Sequence, residues 1–381
     1  MLLLLSLERS FAATLVVSTA GPYTTISSAV TAAASGDTLE IDTGTWAECV
    51  DTAGKSLTLV GAGSAATVIA PGGRCSNAVT VDAGESVELR DLGVTNTGYR
   101  GIYVSGSTLT LDTLAVSSSG ATSFNGGGVY VDSGGVVEVT GSTFTSNTAY
   151  AGGAIYAEAA STVAVTDTTF TSNGAYYAGA IYVAATSGAA SLTLDGVTFT
   201  SNAGYYNGGA VYLDSGTSLS SADTVWSSNR GYYTHGNALY VGAGAAWTGS
   251  HDQLDDNYSY YYTAGYSGAV YVAASATVDL DSPSFTDNYG YHGAAIYATA
   301  AASLVLTDGE FTGNIAYYYG GALYLSGVTD VVLDGTLFGS NTGTYGYGGA
   351  AFVSSGGLEV TVVYSPTTSP TTVVAACTRP R

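Results

Sequence analysis

Tyrosine is the side chain in this sequence whose number and spacing point most clearly to a binding surface. The chain has 381 residues, of which 31 are tyrosine and only eight are lysine or arginine. A tyrosine ring offers an apolar face and a hydroxyl group, so it can contact saccharides and protein surfaces alike. We therefore expect the ligand-binding residues to be Tyr130, Tyr156, Tyr182, Tyr212, Tyr240, Tyr271, Tyr297 and Tyr324, joined by Tyr177, Tyr206 and Tyr233.

The same tyrosines could serve the fold alone, because aromatic rings that stack on one another contribute about 0.5–1.5 kcal/mol per pair. Stacking and binding are compatible with each other. A contiguous aromatic surface of this size is unusual without a partner, and this favours the binding interpretation over a purely structural one.

Aspartate recurs once per repeating unit and raises the question of a calcium site. Ca²⁺ takes about six to eight oxygen ligands, which stacked carboxylates could supply. Aspartate is also an ordinary turn residue, and its offset from the aromatic residue that follows drifts along the chain. The turn interpretation is favoured, and calcium is kept as the alternative, for Asp167, Asp195, Asp223, Asp252, Asp281, Asp308 and Asp334.

A catalytic centre has one weak candidate in the sequence. His251 precedes the acid pair Asp255 and Asp256, but a solvated turn is the favoured interpretation there. His235 and His292 share a position in the repeat two units apart, roughly 10 Å, which is too far to share a metal ion. We therefore assign no catalytic or metal-ligating residue and expect no cofactor.

Internal repetition identifies the elements that must position these side chains. One unit contains a Gly-Gly-Ala-Ile-Tyr-Ala run at 152–157, an alternating run at 162–165, and Phe170 followed by Asn173. The tyrosine of the first run returns every 26 to 31 residues. No unit can bury its apolar face alone, so the units must stack on one another. The phenylalanine and asparagine recur together at Phe144/Asn147, Phe170/Asn173, Phe199/Asn202, Phe285/Asn288, Phe311/Asn314 and Phe338/Asn341.

Three short strand-like runs per unit, separated by Gly, Asn, Asp or Ser, predict a solenoid of parallel strands. A leucine-rich repeat is excluded because its leucine framework and helical segment are missing, and a propeller needs four strands in a longer repeat. Parallel crossovers are overwhelmingly right-handed. We therefore expect an all-β, right-handed parallel β-helix of about eleven coils, with three strands per coil and a length of about 50 Å.

Alternation along the strands assigns their faces. Aliphatic residues beside the recurring tyrosine, such as Ile155 and Ala157, are expected to face the axis, which turns the tyrosine towards solvent. Phe144, Phe170 and Phe199 are expected to point inward and to stack from coil to coil. The asparagine three residues after each phenylalanine is placed for an amide ladder, because identical side chains recur about 4.8 Å apart.

The pattern divides the chain into four regions. Residues 1–12 are a candidate signal peptide, and residues 13–55 are expected to form an N-terminal cap and the first coil. Within the cap, residues 24–35 predict a short amphipathic helix that covers the open first coil. The β-helix is expected over residues 56–363, followed by an irregular or truncated tail over 364–381.

Three cysteines occur in the chain. Cys49 and Cys75 lie 26 residues apart, about one repeat, so they are expected on neighbouring coils and close enough to bridge. A disulfide and a pair of buried thiols both stay open. Cys377 lies in the tail and is expected to be unpaired.

The charge balance limits the partners. The formal net charge is −21, so polyanions such as nucleic acids and anionic lipid surfaces would be repelled. No segment beyond the N-terminal run approaches the 18 or more apolar residues of a membrane-spanning helix. We expect an exported protein whose acidity serves solubility, with cation binding as the alternative.

The paired motifs resemble those of a known family. Repeated Gly-Gly-Ala-[Ile/Leu/Val] and Phe-x-x-Asn elements over residues 125–352 resemble the passenger domains of chlamydial polymorphic outer membrane proteins. The stretch from Ile26 to Trp46 is similar to the opening of many pectin-lyase-like β-helices. This second likeness is broad and concerns the fold alone.

The resemblance implies an autotransporter adhesin, displayed on the cell surface and in contact with a host or another cell. We accordingly expect an extracellular or outer-membrane-associated protein, non-catalytic and monomeric, that binds a glycan or a protein surface. Two alternatives stay open. One is a polysaccharide-acting enzyme of pectate-lyase type, a lyase or hydrolase. The other is a structural or ice-binding β-helix, suggested by outward Thr-x-Thr pairs at 143–145, 169–171 and 198–200.

Overall fold

The computed structural model describes residues 12–363, apart from 83, 133, 186–187, 234, 260–267, 301 and 356–359. Over this part the chain is all-β with a single helix, and it winds into a right-handed parallel β-helix of about twelve turns. The predicted fold class is confirmed. The candidate signal peptide (except its last residue), the tail and Cys377 lie outside the described residues.

Sheet 1 is built from the alternating apolar and polar runs. Leu192 and Leu194 are buried, while Thr193 between them is exposed. Each strand pairs in parallel with its equivalent one turn away, as Leu192 pairs with Val163 and Leu219. Within the described ranges its fourteen strands are Thr14–Val17, Thr38–Ile41, Thr58–Val60, Ser86–Arg90, Thr108–Asp112, Val136–Thr140, Thr162–Thr166, Ser191–Asp195, Ser218–Ala222, Ala246–Ser250, Thr277–Asp281, Ser303–Thr307, Asp330–Asp334 and Val360–Val363.

Sheet 2 carries the recurring tyrosine between two inward aliphatic residues. Ile181 and Val183 are fully buried, and Tyr182 between them lies on the outer side. The strands that the structure describes here are Val50–Asp51, Asn77–Val81, Arg100–Val104, Val129–Val131, Ile155–Ala157, Ile181–Val183, Val211–Leu213, Leu239–Val241, Val270–Val272, Ile296–Ala298, Leu323–Ser326 and Ala351–Ser355.

Sheet 3 carries the inward aromatic residue between two outward polar ones, as in Thr169-Phe170-Thr171. The Thr-x-Thr pairs align over three coils and the alignment then ends at Val225. Its described strands are Gly44–Trp46, Thr67–Ile69, Gly93–Val94, Ala115–Ser117, Thr143–Thr145, Thr169–Thr171, Thr198–Thr200, Val225–Ser227, Gln253–Asp255, Ser284–Thr286, Glu310–Thr312 and Leu337–Gly339.

Sheet 4 was not predicted. It follows the asparagine of each unit, where tyrosine and glycine replace the two-residue alternation and so indicate turns rather than strands. Its parallel strands in the described part are Thr148–Ala151, Gly174–Tyr177, Ala203–Asn207, Arg230–Gly231, Tyr258–Ser259, Tyr289–Gly290, Ile315–Ala316 and Thr342–Gly343. Most coils after residue 148 therefore have four strands instead of the three expected.

Stacked aromatic rings fill the interior beneath sheet 3, as predicted. The Phe144 and Phe170 rings lie 4.9 Å apart, and so do those of Phe170 and Phe199. Trp226 continues the stack at 4.5 Å from Phe199. All four side chains are fully buried, so each contributes its apolar area to the core.

The predicted asparagine ladder is confirmed at the corner between sheets 3 and 4. The Asn173 Nδ2 donates to Asn202 Oδ1 at 3.0 Å and to the Phe144 carbonyl at 2.9 Å. The Asn147 backbone N–H donates to Asn173 Oδ1 at 3.0 Å. These bonds satisfy buried groups at each turn. The ladder comprises Asn147, Asn173, Asn202, Asn229, Asn257, Asn288, Asn314 and Asn341.

The Gly-Gly pair at the entrance to sheet 2 has a steric cause. Gly152 adopts a φ of +63°, where an L side chain is strained. Gly153 leaves no room for a side chain, because a Cβ atom there would lie 2.2 Å from the Gly179 carbonyl of the next turn. The pair allows adjacent coils to approach closely at this corner.

A capping helix covers the first coil, as predicted. It spans Ile26–Ala32, and its expected apolar stripe is buried. The Glu48 carboxylate accepts hydrogen bonds from the Ile26 and Ser27 backbone amides, at 2.8 and 2.9 Å. At the other end, Lys55 Nζ donates to the Val30 carbonyl at 2.6 Å. Both charges match the helix dipole.

Of the two states left open for the first two cysteines, the structure contains the disulfide. Cys49 and Cys75 are bonded, with their Cα atoms 6.0 Å apart. The bond joins the chain just before the first strand of sheet 2 to the chain just before the second, so it ties the first two turns together.

Candidate aromatic binding face

The recurring tyrosines of sheet 2 form one continuous stack, which we call the inner tyrosine column. The ring centroids are 5.6 Å apart between Tyr103 and Tyr130 and 4.5 Å apart between Tyr212 and Tyr240, and the rings are nearly parallel. Parallel pairing in register places equivalent side chains one above another. The column comprises Tyr103, Tyr130, Tyr156, Tyr182, Tyr212, Tyr240, Tyr271, Tyr297 and Tyr324 and ends on Phe352.

The column lies outside the core, as predicted, but its rings do not face open water. Tyr156 and Tyr297 are only 8% and 4% exposed, and the other rings are half-buried. The chain that precedes each sheet 2 strand folds over the column. Tyr177 meets the Tyr212 ring edge-on at 6.4 Å. The inner column is therefore mainly a support, and solvent meets a different set of rings.

Burial also governs the chemistry of the inner column. Tyr103 donates its hydroxyl hydrogen to Asp132 Oδ2 at 2.8 Å, and Tyr130 donates to Glu158 Oε1 at 3.2 Å. Burial, reinforced by the Glu158 carboxylate, raises the pKa of Tyr156 to about 12. These phenols stay protonated at neutral pH and act as hydrogen-bond donors.

A second set of rings, which we call the outer tyrosine layer, presents an exposed aromatic surface. Tyr176 and Tyr205 lie 5.7 Å apart edge to face, and Tyr205 and Tyr233 lie 5.3 Å apart. The exposed members of this layer have between 37% and 46% of their surface accessible to solvent. The layer consists of Tyr150, Tyr176, Tyr177, Tyr205, Tyr206, Tyr232 and Tyr233 on sheet 4 and the corner after it.

The expected ligand residues thus divide between the two sets. Tyr206 and Tyr233 are 43% and 42% exposed, and Tyr177 is half-buried between the layer and the column. The eight sheet 2 tyrosines all belong to the inner column. Tyr176 and Tyr205 were not among the expected residues, although each stands three residues after a ladder asparagine, a spacing that marks this row of the layer.

A groove runs along sheet 4 beside the outer tyrosine layer. Its floor is made of small residues in one register column, Thr148, Gly174 and Ala203. Tyr176 and Tyr205 stand two residues further along the same strands and form a wall on the same face, which Tyr232 extends. The groove has a volume of about 320 Å³.

The recurring aspartates do not form one column. Asp195, Asp281 and Asp334 end strands of sheet 1, with Ala222, Ser250 and Thr307 at the same position in the coils between them. Asp167 and Asp308 lie one position later, in turns with positive φ. Stacked carboxylates for calcium are therefore not present at these positions, whereas turn geometry accounts for the aspartates with positive φ.

Asp252 is set apart by its burial. It is 1% exposed, and it accepts hydrogen bonds from the Ser221 hydroxyl at 2.5 Å and the Thr224 amide at 3.1 Å. Trp247 Nε1 donates to the same Ser221 hydroxyl at 2.8 Å. Gly249 makes room for the carboxyl group, because a Cβ there would lie 2.4 Å from Asp252 Oδ2. Burial raises the pKa of Asp252 to about 6.

The candidate catalytic residues stay apart. His251 is exposed in a turn, and among the described residues no hydrogen bond joins it to Asp255 or Asp256. Burial and the neighbouring Asp256 carboxylate raise the pKa of Asp255. His235 and His292 instead join the aromatic surface: His235 stacks on Tyr271 at 4.6 Å, and burial lowers the pKa of His292 to about 4.

Membrane-spanning helices and grouped metal ligands are both absent from the described residues. The described residues contain no helix with the length and hydropathy of a membrane span. Over the same ranges, no three His, Cys, Asp or Glu side chains are grouped so that they could hold a metal ion.

Family comparison places the chain among known β-helices. The family model "Right handed beta helix region" matches residues 69–260, about half of the chain, and the protein belongs to that family. The Chlamydia polymorphic membrane protein repeat matches residues 308–326. The resemblance inferred from the repeated motifs is confirmed.

Comparison with solved structures gives distant likenesses. The pectin methylesterase from carrot is 14% identical over 93% of this chain and 89% of its own, with a TM-score of 0.30. A GH87 alpha-1,3-glucanase catalytic domain in complex with nigerose is 12% identical over 92% and 68%, with a TM-score of 0.36. The A-module of the Azotobacter vinelandii mannuronan C-5 epimerase AlgE6 is 14% identical over 90% and 94%, with a TM-score of 0.30. No curated protein matches the chain.

Proposed function

We propose that this protein is a non-catalytic, surface-displayed binding protein that holds a glycan or protein ligand on its outer tyrosine layer. The observation that carries the proposal is a set of exposed rings fixed on a rigid support. Tyr205, Tyr206 and Tyr233 expose 37–43% of their surface; the first two lie on a sheet 4 strand, and the Tyr233 amide donates to the Tyr205 carbonyl at 2.9 Å. Rigid aromatic side chains bind at a low cost in conformational entropy.

The proposed location is the bacterial cell surface or the extracellular space, with the protein as a monomer. The polymorphic membrane protein repeat at 308–326 supports surface display. The disulfide between Cys49 and Cys75 supports an oxidising environment. The net charge of −21 argues against nucleic acid as the partner. Binding of this kind needs no cofactor.

The test is to change Tyr205, Tyr206 and Tyr233 together to Ser and to measure glycan-array binding and cell adhesion. We expect binding to fall at least about tenfold, while the thermal midpoint falls only slightly because these rings are already partly exposed. A matched control changes three outward threonines of sheet 3 to Ala and should bind as the wild type does. The control set is Thr143, Thr171 and Thr200.

Two results would contradict the proposal. One is unchanged ligand binding by the folded triple tyrosine variant. The other is cleavage of a polysaccharide that survives the tyrosine changes and is lost in the Asp255→Asn, Asp256→Asn variant, which would favour the enzyme alternative instead.

A further inference from the structure

Arg230 lies where the sheet 4 groove ends. Its position continues the register column of the groove floor, after Gly174 and Ala203, and Tyr258 follows it one turn further on. The small residues leave the groove open and Arg230 is the first large side chain that fills the column. Its guanidinium carbon lies 5.8 Å from the ring centroid of Tyr232, which belongs to the groove wall.

The Arg230 side chain has unsatisfied hydrogen-bonding capacity. Its Nε atom is buried and makes no hydrogen bond within the described residues. Among the described residues, the ion pairs are formed by Arg90, and Arg230 takes part in none. Partial burial of a charged group without a polar partner costs free energy. The position therefore suits an anionic group that a ligand brings.

Charge complementarity narrows the chemistry of that ligand. The chain carries a net charge of −21 and only eight basic residues, so an anion meets repulsion over most of the surface. A guanidinium group can bind a carboxylate through two parallel hydrogen bonds. Arg230 beside the groove therefore offers local attraction for a carboxylate at a position fixed by Tyr232.

The groove favours a saccharide over a peptide as the carrier of that carboxylate. An extended peptide binds a sheet by pairing with a free strand edge. The strand Gly174–Tyr177 is already paired on both sides, with Thr148–Ala151 and Ala203–Asn207. Side-chain contact is what remains available. The Tyr176 and Tyr205 rings, which meet edge to face beside a floor of Gly174 and Ala203, offer an apolar surface that suits a sugar ring.

We propose that the sheet 4 groove binds an acidic saccharide, with sugar rings against Tyr176 and Tyr205 and a sugar carboxylate on Arg230. This rests on the proposed function and specifies its ligand class and its binding site. The outer tyrosines supply contact area that neutral and acidic sugars share, and Arg230 supplies the preference for the acidic member.

The experiment uses the full chain on an array of matched glycan pairs, each an oligosaccharide with a sialic or uronic acid and its neutral counterpart. Arg230→Gln should weaken binding of the acidic members about tenfold or more and change the neutral members by less than about twofold. The control Arg74→Gln removes an equal charge at an exposed position outside the groove and should leave both unchanged.

A second variant tests the groove without removing charge. Gly174→Tyr places a ring on the groove floor, where Tyr258 and Tyr289 already occupy the same register column. A Cβ at Gly174 would have no atom nearer than 4.0 Å, and its φ is not in the left-handed region, so the coil should fold unchanged. We expect this variant to lose both acidic and neutral binding, with the thermal midpoint as the check on folding.

The outcomes separate the two proposals. The wild type could bind acidic and neutral glycans equally, with no change in the Arg230→Gln variant. That result would overturn the groove assignment and leave the tyrosine layer as a binding face. A protein ligand that competes for the groove would replace the saccharide by a peptide-like partner and overturn this inference. If the wild type binds neither glycans nor cells, the proposed function itself fails.

Discussion

At the scale of single residues, Asp252 shows how one side chain can set a solution property. Its carboxyl group occupies a corner where the preceding turn places the hydroxyl residue Thr224. The Ser221 hydroxyl and the Thr224 amide donate hydrogen bonds to the carboxyl group. These bonds offset only part of the desolvation, and the pKa stays raised at about 6.

The raised pKa predicts a pH-dependent stability. Below about pH 4 the carboxyl is protonated in both the folded and the unfolded chain, and no penalty arises. Between pH 4 and 6 the unfolded chain loses this proton first, so unfolding becomes progressively easier as the pH rises, by about 2–3 kcal/mol in total. The Asp252→Asn variant should lack this component when unfolding free energies are measured across pH 4–7.

An exposed aspartate provides the control for that measurement. Asp279→Asn changes a solvent-facing residue of sheet 1 and should retain the wild-type pH profile. A pH profile of Asp252→Asn that parallels the wild type would show that other groups cause the dependence.

At the scale of elements, the asparagine ladder is what holds the corner between sheets 3 and 4. Each interior asparagine side chain bonds to both neighbouring turns. Its Nδ2 donates to the asparagine of the next turn, and its Oδ1 accepts from the asparagine of the preceding turn. Loss of one amide therefore exposes unmatched groups on two coils at once. Buried polar groups without a partner cost about 1–3 kcal/mol each.

We predict that Asn202→Ala lowers the free energy of unfolding by about 3 kcal/mol or more. The substitution removes the hydrogen bonds that Asn202 makes with the Phe170 carbonyl and with the backbone and side-chain amides of Asn173 in a dry interior. Asn341→Ala, at the partly exposed last rung, should cost clearly less. Chemical denaturation of both variants compares them, and equal losses would argue that the ladder does not carry stability.

The two tyrosine sets illustrate what a repeat pattern can and cannot predict. Alternation about Tyr182 correctly places its ring outside the core, because a strand turns successive side chains to opposite faces. The burial of that ring depends on Tyr177 and Ala151, which come from other strands and cover it. The sequence pattern identified the tyrosine-rich flank, but it did not separate the supporting column from the exposed outer layer, and the expected ligand residues fall in both sets.

At the scale of the whole molecule, each turn contacts mainly its neighbours, so stability is expected to vary along the axis. The first turns lack a coil on one side. The helix Ile26–Ala32 covers the open end and Lys55 ties the helix to the coil beneath. The Cys49–Cys75 disulfide adds a covalent link across the same turns.

We predict that reduction of this disulfide loosens the N-terminal turns and leaves the remaining rod folded. Closing a loop of this size contributes about 3 kcal/mol by restricting the unfolded chain. Hydrogen exchange of a Cys49→Ser, Cys75→Ser variant should accelerate in residues 38–81 and stay unchanged beyond about residue 130. A Cys377→Ser variant is the matched thiol control, and uniform acceleration along the rod would contradict local fraying.

The sequence by itself determined the features that repeat with the chain. The sequence pattern sufficed to predict the right-handed solenoid, its inward aromatic stack and its asparagine ladder. The evidence lay in strand alternation, in the recurrence of residues equivalent to Phe170 and Asn173, and in the Gly152-Gly153 pair. These follow from local backbone geometry and from the need to bury identical faces against one another.

Only the tertiary structure decided the features that depend on contacts between turns. Sheet 4 forms because neighbouring coils supply hydrogen-bond partners to tyrosine-rich segments that lack a strand pattern of their own. The same stacking buries the inner tyrosine column and places Arg230 next to Ala203 of the preceding turn, at the end of the groove floor. Depth of burial and side-chain proximity are set by residues about one full turn away along the chain, which local periodicity does not specify.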